Sequence, residues 1–246
     1  MNKLYRIIAT ATFVVLVGAV SCFADQTQTT APTCSKALQS GQSDALERAM
    51  KSVYPALIRL HVVMEAASGG RMQKMEGAGS GAIIDNEGHI ITNHHVAGKG
   101  SRIICRMPDG EEIEADLIGT DALADISIVK LKLDQRKKKT PLPVAQFGDS
   151  DTVKVGDVVF AMGSPAALSQ SVTQGIISNI AMIMPSLGGS GRFDLDGEDT
   201  GSLVRWIGHD AVIFHGNSGG PLVNTEGKII GINEVGIGSL GGAIPA

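Results

Sequence analysis

The sequence predicts an all-β protein made of two six-stranded antiparallel β-barrels side by side. Three observations lead there. The composition favours turns over bulk: Gly accounts for 31 of 246 residues and aromatics for 4%, which suits many short strands joined tightly. From residue 56 onward, apolar residues recur with period two or in runs too short for helices. Those runs fall into two sets parted by one polar, basic stretch, Asp134 to Pro141. With 43% hydrophobic and 19% charged residues, the chain reads as globular rather than disordered.

Taken in order, Lys3 and Arg6 precede an apolar stretch, Ile7 to Val20, and a small-residue boundary at Ala24. This is the pattern of a secretory signal peptide over residues 1–24, too short for a membrane span. Its removal strips two cations and takes the formal charge from −4 to −6. Cys22, in Ala19-Val20-Ser21-Cys22, offers the alternative of a lipid anchor, although the usual Leu of a lipoprotein signal is absent. Residues 25–55 read as a polar disordered segment to residue 42, then a short helix from Asp44 to Val53 capped by Ser43 and limited by Pro55.

The first barrel is assigned to residues 56–133, with strands Ala56–Met64, Gly81–Asp85, His89–Thr92, Arg102–Met107, Glu111–Leu117 and Ile126–Leu131. Turns such as Asp85-Asn86-Glu87-Gly88 and Pro108-Asp109-Gly110 separate them. Residues 134–141, with Gln135-Arg136-Lys137-Lys138-Lys139, read as a solvated linker. The second barrel, residues 142–246, takes Val144–Phe147, Val158–Met162, Ser171–Ile180, Leu203–Ile207, Gly220–Val223 and Lys228–Asn233. A Gly- and Asp-rich insertion lies between Pro185 and Gly201. Its acids (Asp194, Asp196, Glu198, Asp199) lack the spacing of a Ca²⁺ loop.

Several functions are excluded early. The negative charge gives nucleic acid no basic face to bind. No CxxC pair or HExxH helix supports a metal site. Cys105, on an apolar strand, reads as a small buried hydrophobe and Cys34 as unpaired, although an exported chain permits a disulfide.

The strongest chemical signal is Gly216-Asn217-Ser218-Gly219-Gly220-Pro221. A nucleophilic serine needs a tight turn with its hydroxyl exposed and backbone N–H groups near it, and flanking glycines permit both. The turn puts Gly216, Asn217 and Ser218 forward as the oxyanion hole. A hydroxyl also needs a base. Thr92-Asn93-His94-His95-Val96 supplies two histidines at a strand end, of which the TNxHV pattern selects His95. Asp125, just ahead of the strand Ile126–Leu131, is placed to orient that imidazole, with Asp121 its rival.

On these residues the chain resembles the protease domain of HtrA/Deg-type serine proteases. GSGAIID, ITNHHV, DALADISIVKL, VGDVVFAMGSP, VTQGIIS, GNSGGPLVN, IIGIN and GGAIPA follow in that family's order over residues 77–246. The resemblance implies a chymotrypsin/trypsin-type double barrel with the active site between the barrels. It implies a serine endopeptidase that acts on unfolded polypeptides in the bacterial periplasm or envelope, needs no cofactor, and forms a homo-oligomer, a trimer. The alternative is a weak or inactive relative acting as a chaperone or scaffold. Members usually carry PDZ domains after the protease domain, and the matching blocks here end with Gly242-Ala243-Ile244-Pro245. His215 stands where the family often has Pro or Arg, and the insertion before Leu203 is longer than the family's. Asn217 replaces the Asp that zymogen-activated superfamily members pair with a new N-terminus, so activation is expected by loop ordering rather than cleavage. Val212, six residues ahead of Ser218, suggests an apolar pocket floor, with Asn233 and Glu234 on its wall.

Overall fold

The computed structural model describes residues 33–68, 70–165, 170–183, 199–200, 204–238 and 240–246. The leader, Cys22 and nearly all of the acidic insertion lie outside them. In the first half, β1 (Leu57–Ser68), β2 (Arg71–Ile83), β3 (His89–Thr92), β4 (Gly100–Arg106), β5 (Glu112–Asp121) and β6 (Ile126–Leu131) close an antiparallel barrel in the order β1-β2-β3-β6-β5-β4. In the second, β7 (Val158–Gly163), β8 (Ser171–Met182), β9 (Trp206–His209), β10 (Pro221–Asn224), β11 (Ile229–Ile237) and β12 (Leu240–Pro245) close another, β10-β11-β12-β9-β8-β7. The fold class is therefore the one the sequence predicts.

The pattern that forms the strands also fills the barrels. On β6 every second side chain, Ser127, Val129 and Leu131, is buried, as the pleat requires. Ile103 and Cys105 of β4 and Ile113 and Ala115 of β5 join Val129 and Leu131 in the first core. That core does not stop at the first barrel: Ile229 and Ile232 of β11 pack into it. A 21-residue helix, α1 (Thr33–Val53), buries Ala49 and Val53 against Leu57 of β1 and Phe160, Met162 and Val223 of the second barrel.

Four elements differ from expectation. The helix begins at Thr33, inside the segment read as disordered, and not at Asp44. The strand β2 begins at Arg71 rather than Gly81 and pairs with β1 from Leu57↔Ala82 to Ser68↔Arg71. Residues Arg71 to Glu76 are exposed throughout, so they carry no apolar alternation, and the ladder holds them together with the surface pairs Lys74–Glu65 and Glu76–His61 across to β1. Val144–Phe147 is not a strand: it makes a single bridge, Phe147↔Ile229. The second barrel is closed instead by β12, whose glycines hid it from a propensity reading. In the linker, Lys138 pairs with Asp109 at 2.6 Å and Arg136 donates to the Thr140 carbonyl.

Candidate active site

A single turn of helix, α2 (His94–Ala97), follows β3 and separates the two histidines. The His94 ring is buried, with Nδ1 paired to Thr120 Oγ1 at 2.6 Å. Gly98 makes room for it: a Cβ there would lie 2.1 Å from His94 Nδ1. His95 points the other way. Its Nδ1 lies 2.7 Å from Asp125 Oδ2, and its main-chain N–H donates to Asp125 Oδ1 at 2.9 Å. A carboxylate only accepts, so Nδ1 carries the proton and Nε2 is left as the basic nitrogen.

Asp125 is 1% exposed and is the one described non-glycine residue with positive φ, 53°. Asp tolerates this left-handed conformation better than most residues, and such strain gathers at functional sites. Its carbonyl accepts from His94 N–H at 3.1 Å and from Asn93 Nδ2 at 3.0 Å, so the turn before β6 is clamped onto the start of α2. Asp121, the rival, accepts from the N–H groups of Leu123 and Ala124 and caps that turn.

The serine turn arrives from the second barrel. Gly216 and Gly219 have φ of +97° and +82°, conformations only glycine adopts freely. The Ser218 carbonyl accepts from Ser80 N–H of β2 at 2.8 Å, and Gly219 abuts the Ser80 carbonyl and Thr92 Oγ1. Ser218 Oγ donates to the main-chain carbonyl of Glu234 at 3.0 Å, and among the described residues no hydrogen bond joins it to His95. The N–H groups of Gly216 and Ser218 donate to nothing in the described residues. The Asn217 N–H is taken by the Phe214 carbonyl at 2.9 Å. The main-chain N–H and the side-chain oxygen of Asn217 are thus both engaged: its side chain is buried and Oδ1 accepts from Ser171 at 3.0 Å.

Residues 79–232, more than half of the chain, match the family described as trypsin-like peptidase domain. The chain belongs to the trypsin-like peptidases. It is 39% identical over 166 residues to a probable periplasmic serine endoprotease DegP-like of Pseudomonas fulva (strain 12-X), covering 68% of this chain and 30% of that one. It is 39% identical over 163 residues to a putative serine protease HhoA of Synechocystis sp. (strain ATCC 27184 / PCC 6803 / Kazusa), covering 66% and 38%. The chain thus spans about a third of the length of the curated relatives it matches. Among solved structures, a variant of the HtrA-type protease AlgW with decapeptide superposes with TM-score 0.67 at 31% identity, over 81% of this chain and 62% of that one. AlgW with tripeptide gives 0.62 at 32%, over 81% and 59%. The curated relatives are named serine proteases and the solved structures HtrA-type proteases, so what this chain matches in them is a peptidase domain.

Within this peptidase domain, the expected pocket residues separate. Val212 is 45% exposed and its carbonyl accepts from Thr173. Asn233 is not on a pocket wall. It is fully buried, and Nδ2 donates to the carbonyls of Met162 and Pro221 inside the second barrel. Glu234 is 3% exposed and its Oε2 accepts from the indole of Trp206. Burial is the main cause that pushes its carboxyl up to about 8. The Trp206 N–H opposes this, and the charge of Asp125 adds to it. Sequence reasoning missed Ser80, whose hydroxyl donates to the Gly216 carbonyl and accepts from Ser164 N–H. The quoted GSGAIID block contained it, but nothing local marks a serine as a tie between barrels. Among the described residues, no group of three His, Cys, Asp or Glu side chains is arranged to hold a metal ion.

Proposed function

We propose that this domain cleaves unfolded or misfolded polypeptides in the periplasm through Ser218, His95 and Asp125. The observation that carries the reading is the Asp125–His95 pair, which follows the end of β3 where Thr92 and Asn93 lie against Gly219 of the Ser218 turn. The Ser218 hydroxyl first leaves the Glu234 carbonyl for His95 Nε2. Oγ then attacks the scissile carbonyl carbon while Nε2 takes its proton. The resulting oxyanion is met by the N–H groups of Gly216 and Ser218. As the C–N bond breaks, His95 returns the proton to the leaving amine. Water hydrolyses the acyl ester by the same route, and Asp125 holds the imidazolium. The apolar Val212 favours Val, Ile or Ala at P1. A buried guanidinium or ammonium there would go unpaired at a cost of several kcal/mol, and Glu234, held by Trp206, is not placed to pair with it. Periplasmic action follows the names of the relatives, and a homotrimer follows the family resemblance.

The test is labelling by a fluorophosphonate together with mapping of cleavage sites in a denatured protein. Wild type should be labelled and should cut after small aliphatic residues. Ser218→Ala should lose several orders of magnitude of cleavage rate while remaining folded. Substantial cleavage by purified Ser218→Ala would sink the assignment, and a dominant Arg or Lys signal would sink the P1 argument alone.

A further inference from the structure

Glu234 sits at an irregular point of β11. The register with β12 runs Asn233↔Ala243 and then Val235↔Gly242, so Glu234 is the extra residue of a β-bulge. A bulge leaves one residue's backbone groups out of the ladder and re-aims its side chain. Both effects are visible here. Asn233 and Glu234 are consecutive yet both buried, which a regular strand facing solvent on one side would not give. The Glu234 carbonyl accepts the Ser218 hydroxyl, and its carboxyl accepts from Trp206 Nε1 on β9. The other carboxyl oxygen, Oε1, is buried with no hydrogen-bond partner.

We infer that Glu234 is a positioning residue of the catalytic site: its buried carboxyl, tied to Trp206, fixes the bulge and thereby the place of Ser218 Oγ, from which the hydroxyl turns from the Glu234 carbonyl to His95 Nε2. The role rests on the peptidase reading above. It also accounts for a carboxyl in a place that would not tolerate a second anion. Among the described residues one indole N–H is the only donor to it, and Asp125 is close enough for its charge to be felt. The remaining titratable groups around it are few. The strands flanking β11, which are β10 and β12, carry none. Beyond Asp125 stands His95. On β9 there is His209, which burial pushes down to about 4 and so leaves neutral. The loop between β9 and β10 carries Asp210, bonded to the Ile176 N–H, and exposed His215. At neutral pH Glu234 therefore keeps its proton. As pH rises through about 8 it ionises beside Asp125, and the placement of Ser218 Oγ is expected to loosen.

The chain has a single tryptophan, Trp206, so its fluorescence reports on this pair whether or not the enzyme turns over. Wild-type emission should titrate near pH 8, and that of Glu234→Gln should not. Fluorophosphonate labelling of Ser218 should slow by about tenfold or more in Trp206→Phe and Glu234→Ala. Glu234→Gln, which keeps an acceptor for the indole, should recover most of that loss and lack the wild-type fall in labelling at alkaline pH. Flat wild-type emission would overturn the proposal, as would unchanged labelling rates in folded Trp206→Phe and Glu234→Ala. A wild-type chain that titrates but takes no label would instead remove the peptidase reading, and the positioning role with it.

Discussion

His94 and His95 are neighbours in sequence and opposites in environment. The His94 ring is enclosed by Gly98 and Thr120, whereas His95 keeps a quarter of its side chain exposed, with Nδ1 on Asp125. The choice between them should show in kinetics. His95→Ala should lose about three orders of magnitude or more in cleavage rate. His94→Ala should keep most of its rate and lose stability instead, since it empties a buried site. Measurement of both on an unfolded substrate checks this; a greater rate loss at His94 would reverse the assignment. A second His–Asp pair, His89 Nδ1 and Asp85 Oδ2 at 2.5 Å, shows that the pairing alone is not diagnostic. That pair binds a β-turn, and no serine turn contacts it. The positions of His95, Asp125 and Ser218 were legible because each lies in a short run whose chemistry is local. The place of Glu234 was not: its position just after Ile232-Asn233 suggested a pocket wall, and only the bulge turns it inward.

At the scale of elements, legibility followed apolar alternation. β6 and β4 announce themselves, because half of each strand faces a core. The outer part of β2 and the glycine-rich β12 do not, because pairing rather than side-chain burial holds them. The same distinction governs how β7 supports the nucleophile. Gly163, its last residue, lies flat against Asn217: a Cβ there would stand 2.3 Å from Asn217 Oδ1 and 2.8 Å from its Cα. The second contact is with backbone, so a side-chain rotation does not relieve it, and the turn must move. Gly163→Ala should therefore slow Ser218 labelling by about a hundredfold with the barrels intact by circular dichroism. Gly119→Ala, at a glycine with open space around it, is the matched control. Equal labelling by the two variants would show that β7 does not set the turn.

At the scale of the whole molecule, the site exists only because two barrels are held in register. His95 and Asp125 belong to the first barrel and Ser218 to the second, and Ser80 of β2 joins them. Its N–H donates to the Ser218 carbonyl at 2.8 Å, its hydroxyl donates to the Gly216 carbonyl at 2.5 Å, and that hydroxyl accepts from Ser164 N–H at 2.7 Å. Its own carbonyl accepts from Thr92 Oγ1 at 2.7 Å. Ser80 is fully buried, so water does not readily replace these bonds. No sequence pattern marks such a residue, because its partners lie 84 and 136 positions away. Ser80→Ala removes one oxygen and takes the hydroxyl partner from the Ser164 N–H and the part-buried Gly216 carbonyl, at up to about 1–3 kcal/mol for each group. Thermal unfolding should therefore shift down by several degrees. Labelling of Ser218 should slow as well, since the freed carbonyl is that of Gly216, which leads directly into the turn. A purely local packing role predicts the first effect without the second. Thermal melts and labelling rates taken on the same sample separate the two. A Ser80→Ala protein that melts early but labels at the wild-type rate would mean that the barrels are aligned by their shared core, through Ile229 and Ile232, and not by this hydroxyl.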